Sequence, residues 1–397
     1  MSEEPLKIAI FSDSALPVLN GVSISIDSLV NELRNQGHSV HFFTASYWGH
    51  QDSDPNTHRF LASETPWTKG YPVALPPFYF MLQQFRKVDF DVIHTHTPWT
   101  IGFVGLRWGQ SHEIPVVSTY HTLYDKYIHY IPFLPKQYVR YKIAKHTNYY
   151  YNSVDHVITP SVAAKRWLLR HSVKSPISVI PSSICTYGRW ERSEIREKLG
   201  INPLHKVLLY VGRIAKEKNV NLLFEAAALA LGKDPSLRFW LVGDGPYREE
   251  CSMLSRNLGI GDKVKFVGFV PRDQVDQYYS AADLFIFSSM TETQGLVVNE
   301  AMAHGLPAVV VQGGGAGSFV QDGINGFLVR NDAQLFAKMI LKILGDDVLY
   351  AHLSQHARTS SRSYSVKDMA DDILKVYRGV QEKAEQKKSH SYLKVSY

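Results

Sequence analysis

The chain has 397 residues, 45% of them hydrophobic and 20% charged, with a formal net charge of +6. That length predicts two domains with separate cores, and two cysteines, Cys185 and Cys251, exclude a disulfide framework and suit a reducing cytosol. No apolar run approaches the roughly 20 residues of a membrane span, no signal peptide follows the acidic start Met1-Ser2-Glu3-Glu4-Pro5, and no zinc-ligand spacing, RNP-like aromatic motif or basic reading helix supports nucleic acid as the reason for the basic balance.

Short β-branched runs then alternate with amphipathic stretches along nearly the whole chain. The first half predicts strands at 7–13, 39–45, 91–96, 115–121, 156–160 and 178–184. The second half predicts them at 206–213, 237–243, 264–269, 283–288, 307–312 and 326–329. Such runs carry few charges, as strands buried on both faces do. Between them, 22–35, 219–231 and 246–258 show helical spacing. The expected fold class is α/β, with two doubly wound parallel-sheet Rossmann-like domains facing across a cleft. A polar break at 185–196 sets the expected domains at 1–188 and 189–365. A helical pattern at 366–385 opens the last segment, 366–397, whose charged stretch 381–390 is expected to fray.

In open parallel sheets ligands bind beyond the carboxyl ends of strands, so the strand-to-helix joins matter most. His94-Thr95-His96 puts two imidazoles on one strand face, and His121 could add a third metal ligand. No carboxylate second shell accompanies them, so lining of the site is the preferred reading and no metal is expected. At 212–218, Gly212 lets the backbone turn while Arg213 offers a planar fork and Lys218 a point charge for phosphate oxygens. A solvated basic loop is the plainer alternative. Gly243-Asp244-Gly245 lacks the third glycine of a dinucleotide fingerprint and reads as turn chemistry.

The segment from Thr291 to Pro307 says most. A helix starts at Gly295, Leu296 and Val297 and stops at Gly305-Leu306-Pro307, with Glu292 and Glu300 flanking its first turns. Amides at such an end face a phosphate readily. The two carboxylates would repel that phosphate and are better placed to accept hydrogen bonds from sugar hydroxyls. Together these features describe a nucleotide-sugar pocket, whereas a bare glutamate pair would read as two solvated helix charges. The glycine run 313–317 could line the site or be a flexible connection.

The Glu292-to-Glu300 segment resembles the Glu-x7-Glu motif of retaining glycosyltransferases of family 4, which have the GT-B fold. The resemblance covers most of residues 6–365 and implies that Glu292 meets the transferred sugar and Glu300 the nucleotide ribose. Gly212-Arg213 with Lys218 is similar to the family's Gly-Arg-x4-Lys signature, which implies that both cations hold the donor diphosphate. By the same likeness Phe269 and Val270 lie near the base, His121 touches the sugar, and the final helix crosses back to the first domain. Gly21, in Asn20-Gly21-Val22, stands where the family often has Gly-Gly-Val, so its backbone approaches the sugar phosphate by a loop path left open. The implied catalytic set is His121, Glu292, Arg213 and Lys218, with a nucleotide-sugar donor and no metal or other cofactor.

The run from Ser118 to Tyr130 and the Thr291-Glu292-Thr293-Gln294-Gly295 form of the motif look most like bacterial glucosyltransferases that make monoglucosyldiacylglycerol. Gln294 and Asn299 depart from the residues commonest in the wider family. This likeness implies glucose transfer from UDP-glucose to a lipid hydroxyl by a cytoplasmic protein at the inner face of the cell membrane. A sugar, polyol or small-molecule acceptor, a nucleotide-sugar epimerase, and a binding module without catalysis remain the alternatives. A lipid acceptor implies an anionic membrane partner, and the basic aromatic stretches 132–146 and 77–87 suit one. In the competing reading Tyr138, Tyr141 and Tyr149, Tyr150 and Tyr151 pack into the core.

Overall fold

A computed structural model of the chain describes residues 4–64, 72–75, 82–83, 85–130, 134–183, 190–361 and 365–395. The chain divides into two compact units, Met1–Ile184 with Ser365–Tyr397, and Cys185–Tyr364. The boundary expected at 188 and Cys185 both fall in 184–189, outside the described residues, as does much of 77–87.

The strands of the first unit are β1 (Lys7–Phe11), β2 (Ser39–Ala45), β3 (Thr57–Phe60), β4 (Ala62–Ser63), β5 (Val73–Ala74), β6 (Val92–Thr95), β7 (Val116–Thr119), β8 (His156–Thr159) and β9 (Ile177–Val179). Seven of them form a sheet in the order β3-β2-β1-β6-β7-β8-β9, parallel throughout. Every residue of β6 and β7 is buried, as a strand covered on both faces requires. Helix Gly21–Asn35 buries Ile26, Leu29, Val30 and Leu33 on one stripe. Against it packs the last helix, Val366–Val395, which buries Met369, Ala370, Ile373, Leu374, Tyr377 and Val380.

The second unit adds β10 (Lys206–Val211), β11 (Leu237–Val242), β12 (Val264–Gly268), β13 (Leu284–Phe287), β14 (Ala308–Val311) and β15 (Gly326–Val329). They form one parallel sheet in the order β12-β11-β10-β13-β14-β15. Its core gathers Leu208, Phe239, Phe285 and Val309 from the strands with Phe224, Phe336 and Ile340 from the helices.

The structure departs from the sequence reading in three ways. Strands stop earlier: β10 ends at Val211, since Gly212 turns to φ 146 while its N–H makes a last bond to the Val242 carbonyl, and β7 ends at Thr119, two residues before His121. The edge strand β3 and the β4–β5 pair were not foreseen, since Thr57-His58-Arg59-Phe60 carries no apolar run and is held by pairing with β2. The stretch 381–390, expected to fray, is helical and the helix runs to Val395. Its Glu, Ala, Gln and Lys content is favourable to helix. Among the described residues no helix is long and apolar enough to cross a membrane.

Candidate active site

In the second unit the strand order reverses between β10 and β13, so the loops after those two strands diverge around a crevice at their carboxyl ends. Ser288 Oγ donates to the carbonyls of Lys218 and Asn219 at 3.0 and 2.9 Å, and Thr291 Oγ1 to that of Glu217 at 3.3 Å, tying the two loops together. Lys218 Nζ thereby reaches Glu292 Oε1 at 2.5 Å. Gly295 then takes a left-handed conformation, φ 74, and opens helix Leu296–Ala303 with no side-chain cap. Leu296 and Val297 are its first-turn residues, whose amides come before the helix's own hydrogen bonding begins. The glycine run braces this loop: Gly315 N–H donates to the Glu292 carbonyl at 2.9 Å. A Cβ on Gly315 would lie 1.9 Å from the Thr293 carbonyl oxygen. Close packing thus accounts for that glycine.

Arg213 pairs with Glu217 at 2.5 Å, and the Glu217 side chain is only 3% exposed. Each of the two cations therefore carries a carboxylate, Lys218 with Glu292 and Arg213 with Glu217. A Cβ on Gly243 would stand 2.1 Å from the Gly212 carbonyl oxygen, so the Gly243-Asp244-Gly245 turn is a close backbone crossing. Phe269, past the end of β12, is 67% exposed, whereas Val270 packs against the core.

Glu300 is almost fully buried, at 4% exposure. Its Oε2 accepts from Tyr279 Oη at 2.7 Å and from Arg272 Nη1 at 2.8 Å. Both contacts use the same oxygen. Burial works most strongly against the Arg272 charge, but Glu300, Tyr279 and Asp276 together raise the guanidinium pKa. Burial, then the same carboxylate, pushes the Tyr279 hydroxyl well up, which keeps it a donor.

In the first unit Gly21 begins a helix whose cap is Asn20: Asn20 Oδ1 accepts from the Val22 and Ser23 amides, both at 2.9 Å. Two first-turn amides are therefore already engaged. Asp13, two residues past β1, accepts from Thr97 Oγ1 and from the Ile101 amide at 3.0 Å, anchoring the start of helix Thr100–His112. His121 follows β7, and its Nε2 lies 2.8 Å from His96 Nδ1. His94 uses both nitrogens otherwise, Nδ1 with Tyr377 Oη at 2.6 Å and Nε2 with Thr119 Oγ1 at 2.7 Å. The three histidines are thus not arranged as one ligand set. Burial lowers all three pKa values, His94 to about 3 and His121 to about 4.

Helix Lys136–Tyr151 divides its aromatics. Tyr150 and Tyr151 are in the core, while Tyr138, Tyr141 and Tyr149 are exposed beside Lys136, Arg140, Lys142 and Lys145. The core reading therefore holds for two of its five tyrosines.

Sequence reasoning missed Glu217, Arg272, Tyr279 and Asp13. Arg272 and Tyr279 share one face of helix Arg272–Ala281 at i and i+7, a pattern legible once a buried carboxylate is expected opposite. Glu217 gave no signal beyond its place between two lysines.

Two parallel-sheet α/β units, one presenting a carboxylate-flanked helix end and two cations at its switch point, define a GT-B glycosyltransferase. The family described as "Glycosyl transferases group 1" matches residues 191–360, and "Glycosyltransferase Family 4" matches 19–186. The chain belongs to this family and is a glycosyltransferase. It is 31% identical over 364 residues to the alpha-monoglucosyldiacylglycerol synthase of Streptococcus pneumoniae, covering 87% of this chain and 80% of that one. With the alpha-monoglucosyldiacylglycerol synthase of Acholeplasma laidlawii it shares 30% identity over 386 residues, 94% of this chain and 96% of the relative. Among solved structures, Anabaena HepE in complex with UDP superposes with a TM-score of 0.75 at 21% identity over 94% of this chain and 100% of that one, a likeness of fold.

Proposed function

We propose that this enzyme transfers glucose from UDP-glucose to a hydroxyl of diacylglycerol at an anionic membrane surface, with retention at the anomeric carbon and without a metal. The observation that carries the reading is the site at the β10–β13 switch point, in a chain about 30% identical to two monoglucosyldiacylglycerol synthases over most of its length. There Arg213, Lys218 and the amides at Leu296 and Val297 take the diphosphate, and Gly212 lets the backbone come close. Glu300 Oε1 takes a ribose hydroxyl, exposed Phe269 stacks on the base beside Val270, and Glu292 and His121 hold the glucose. Gly21 offers its backbone to the sugar phosphate.

The bond from glucose C1 to the β-phosphate oxygen breaks and one from C1 to the acceptor oxygen forms on the same face. The acceptor proton passes to the departing diphosphate, whose charge Arg213 and Lys218 stabilise. The exposed Tyr138, Tyr141 and Lys142 of helix Lys136–Tyr151 support contact with anionic lipid.

Incubation of purified protein with labelled UDP-glucose and diacylglycerol liposomes, with and without anionic lipid, tests the whole reading. Glucolipid that increases with anionic lipid supports it. UDP release without glucolipid removes the lipid and moves the acceptor to sugars or polyols. Donor conversion with no acceptor present makes the protein an epimerase.

A further inference from the structure

The parallel register of β6 and β7 sets Thr95 opposite Ser118, so the residues just past the two strands lie side by side. His96 and His121 meet there with ring centroids 5.1 Å apart, planes 22° from parallel, and His96 Nδ1 2.8 Å from His121 Nε2. Two neutral imidazoles can share that contact only if one nitrogen carries the proton and the other presents its lone pair. His96 is 3% exposed, and its Nε2 is buried with no hydrogen-bond partner among the described residues. A proton on that Nε2 would be an orphaned buried N–H, which folded proteins avoid more strictly than an under-used acceptor. A proton on Nδ1 lies in the hydrogen bond instead.

We propose that His96 is a positioning residue: it donates from Nδ1 to His121 Nε2 and holds His121 in one rotamer as the neutral tautomer protonated at Nδ1. His121 is thereby held in one orientation for the sugar contact proposed above. The His94 ring backs His96 at a centroid distance of 4.0 Å, and His94 is itself pinned by Tyr377 and Thr119. A row of contacts therefore runs from helix Val366–Val395 to His121. Burial keeps the row uncharged, lowering the His96 pKa well below the usual range. None of these residues except His121 touches a substrate in the proposed reaction.

The kinetic part of this inference rests on His121 contacting the sugar; the spectroscopic part does not. Full-length protein labelled with 15N-histidine is examined by long-range 1H–15N correlation, with His121 assigned by its loss in His121→Asn. The wild type shows His121 protonated at Nδ1. His96→Asn, whose amide nitrogen replaces the Nδ1 donor, keeps that tautomer and most of the turnover of UDP-glucose. His96→Leu shifts His121 toward the Nε2-protonated form and lowers kcat/KM on the order of 10- to 100-fold, the range expected for a misplaced sugar contact. Wild-type His121 protonated at Nε2 overturns the proposal even if the leucine variant does not fold. Equal tautomer and equal rate in the leucine and asparagine variants overturn it as well. An active His121→Asn enzyme beside an intact Nδ1–H signal in the wild type would reject the sugar contact while upholding the hydrogen bond.

Discussion

Lys218 Nζ and Glu292 Oε1, from residues 74 positions apart, sit 2.5 Å from each other. They meet because β10 and β13 are neighbours in the sheet and because Ser288 and Thr291 bind the carbonyls of the lysine's own loop. The proposed phosphate cation and the proposed sugar carboxylate are thus one ion pair before any ligand arrives. Under the proposed function a diphosphate competes with Glu292 for the ammonium protons, and a sugar competes with Lys218 for the carboxylate.

That competition sets the first prediction. Glu292→Gln lowers turnover by roughly 100- to 1,000-fold, the scale of losing one directed contact in the transition state, while UDP binds at least as tightly as to the wild type. Calorimetric titration with UDP alongside steady-state kinetics separates the two effects. Weakened UDP binding in this variant would mean that Glu292 holds the loop rather than the sugar.

Arg272 is the second test. Its removal as Arg272→Leu leaves the Glu300 carboxylate buried without its counter-charge, at a cost of about 3–5 kcal/mol. Urea unfolding of the variant should show that loss, and Glu300→Gln in the same background should restore part of it. A leucine variant as stable as the wild type would show that solvent reaches Glu300 and relieves its charge.

Stability should fall with pH below neutrality. The folded pKa values of His94 and His121, about 3 and about 4, lie beneath the unfolded value of 6.5, with burial as the first cause of each. Between pH 6.5 and about 4 the unfolded chain binds protons that the folded chain refuses, so the stabilisation is complete above pH 6.5 and is lost as pH falls. Each such ring contributes at most about 1.4 kcal/mol per pH unit in that window. Thermal melts at pH 7.5 and 5.0 measure the slope, and His94→Gln should flatten it. An unchanged melting temperature would mean that the rings charge within the fold.

The exposed face of helix Lys136–Tyr151 yields the fourth prediction. Replacing Lys136, Arg140, Lys142 and Lys145 by glutamate should abolish cosedimentation with anionic vesicles, since each basic residue near such a surface contributes about 1 kcal/mol. Activity toward a short-chain, soluble diacylglycerol should persist. Vesicle binding that survives the change would place the membrane contact elsewhere on the chain.

Much of the fold is legible because strands covered on both faces leave a simple mark. Leu284-Phe285-Ile286-Phe287 and Ala308-Val309-Val310-Val311 contain no polar residue, and each is a fully buried strand. Strand ends are less legible, since nothing in Val211-Gly212-Arg213 marks the last paired residue except the positive φ that Gly212 adopts in the fold. Thr57-His58-Arg59-Phe60 is strand only through its neighbour. In the site, glycine spacing and charge type mark the loops, but which carboxylate faces which cation follows from sheet order.

By itself the sequence determined the α/β class, the two repeats of strand and helix, and the residues from Thr291 to Pro307 that carry the family's motif. Those features are local: side-chain period, β-branching, and glycine where the backbone turns. Tertiary structure alone decided that Lys218 faces Glu292, that Arg272 and Tyr279 take one oxygen of Glu300, and that His96 bears on His121. Such contacts join residues from different strands and helices, and the order in which parallel strands pair brings them together.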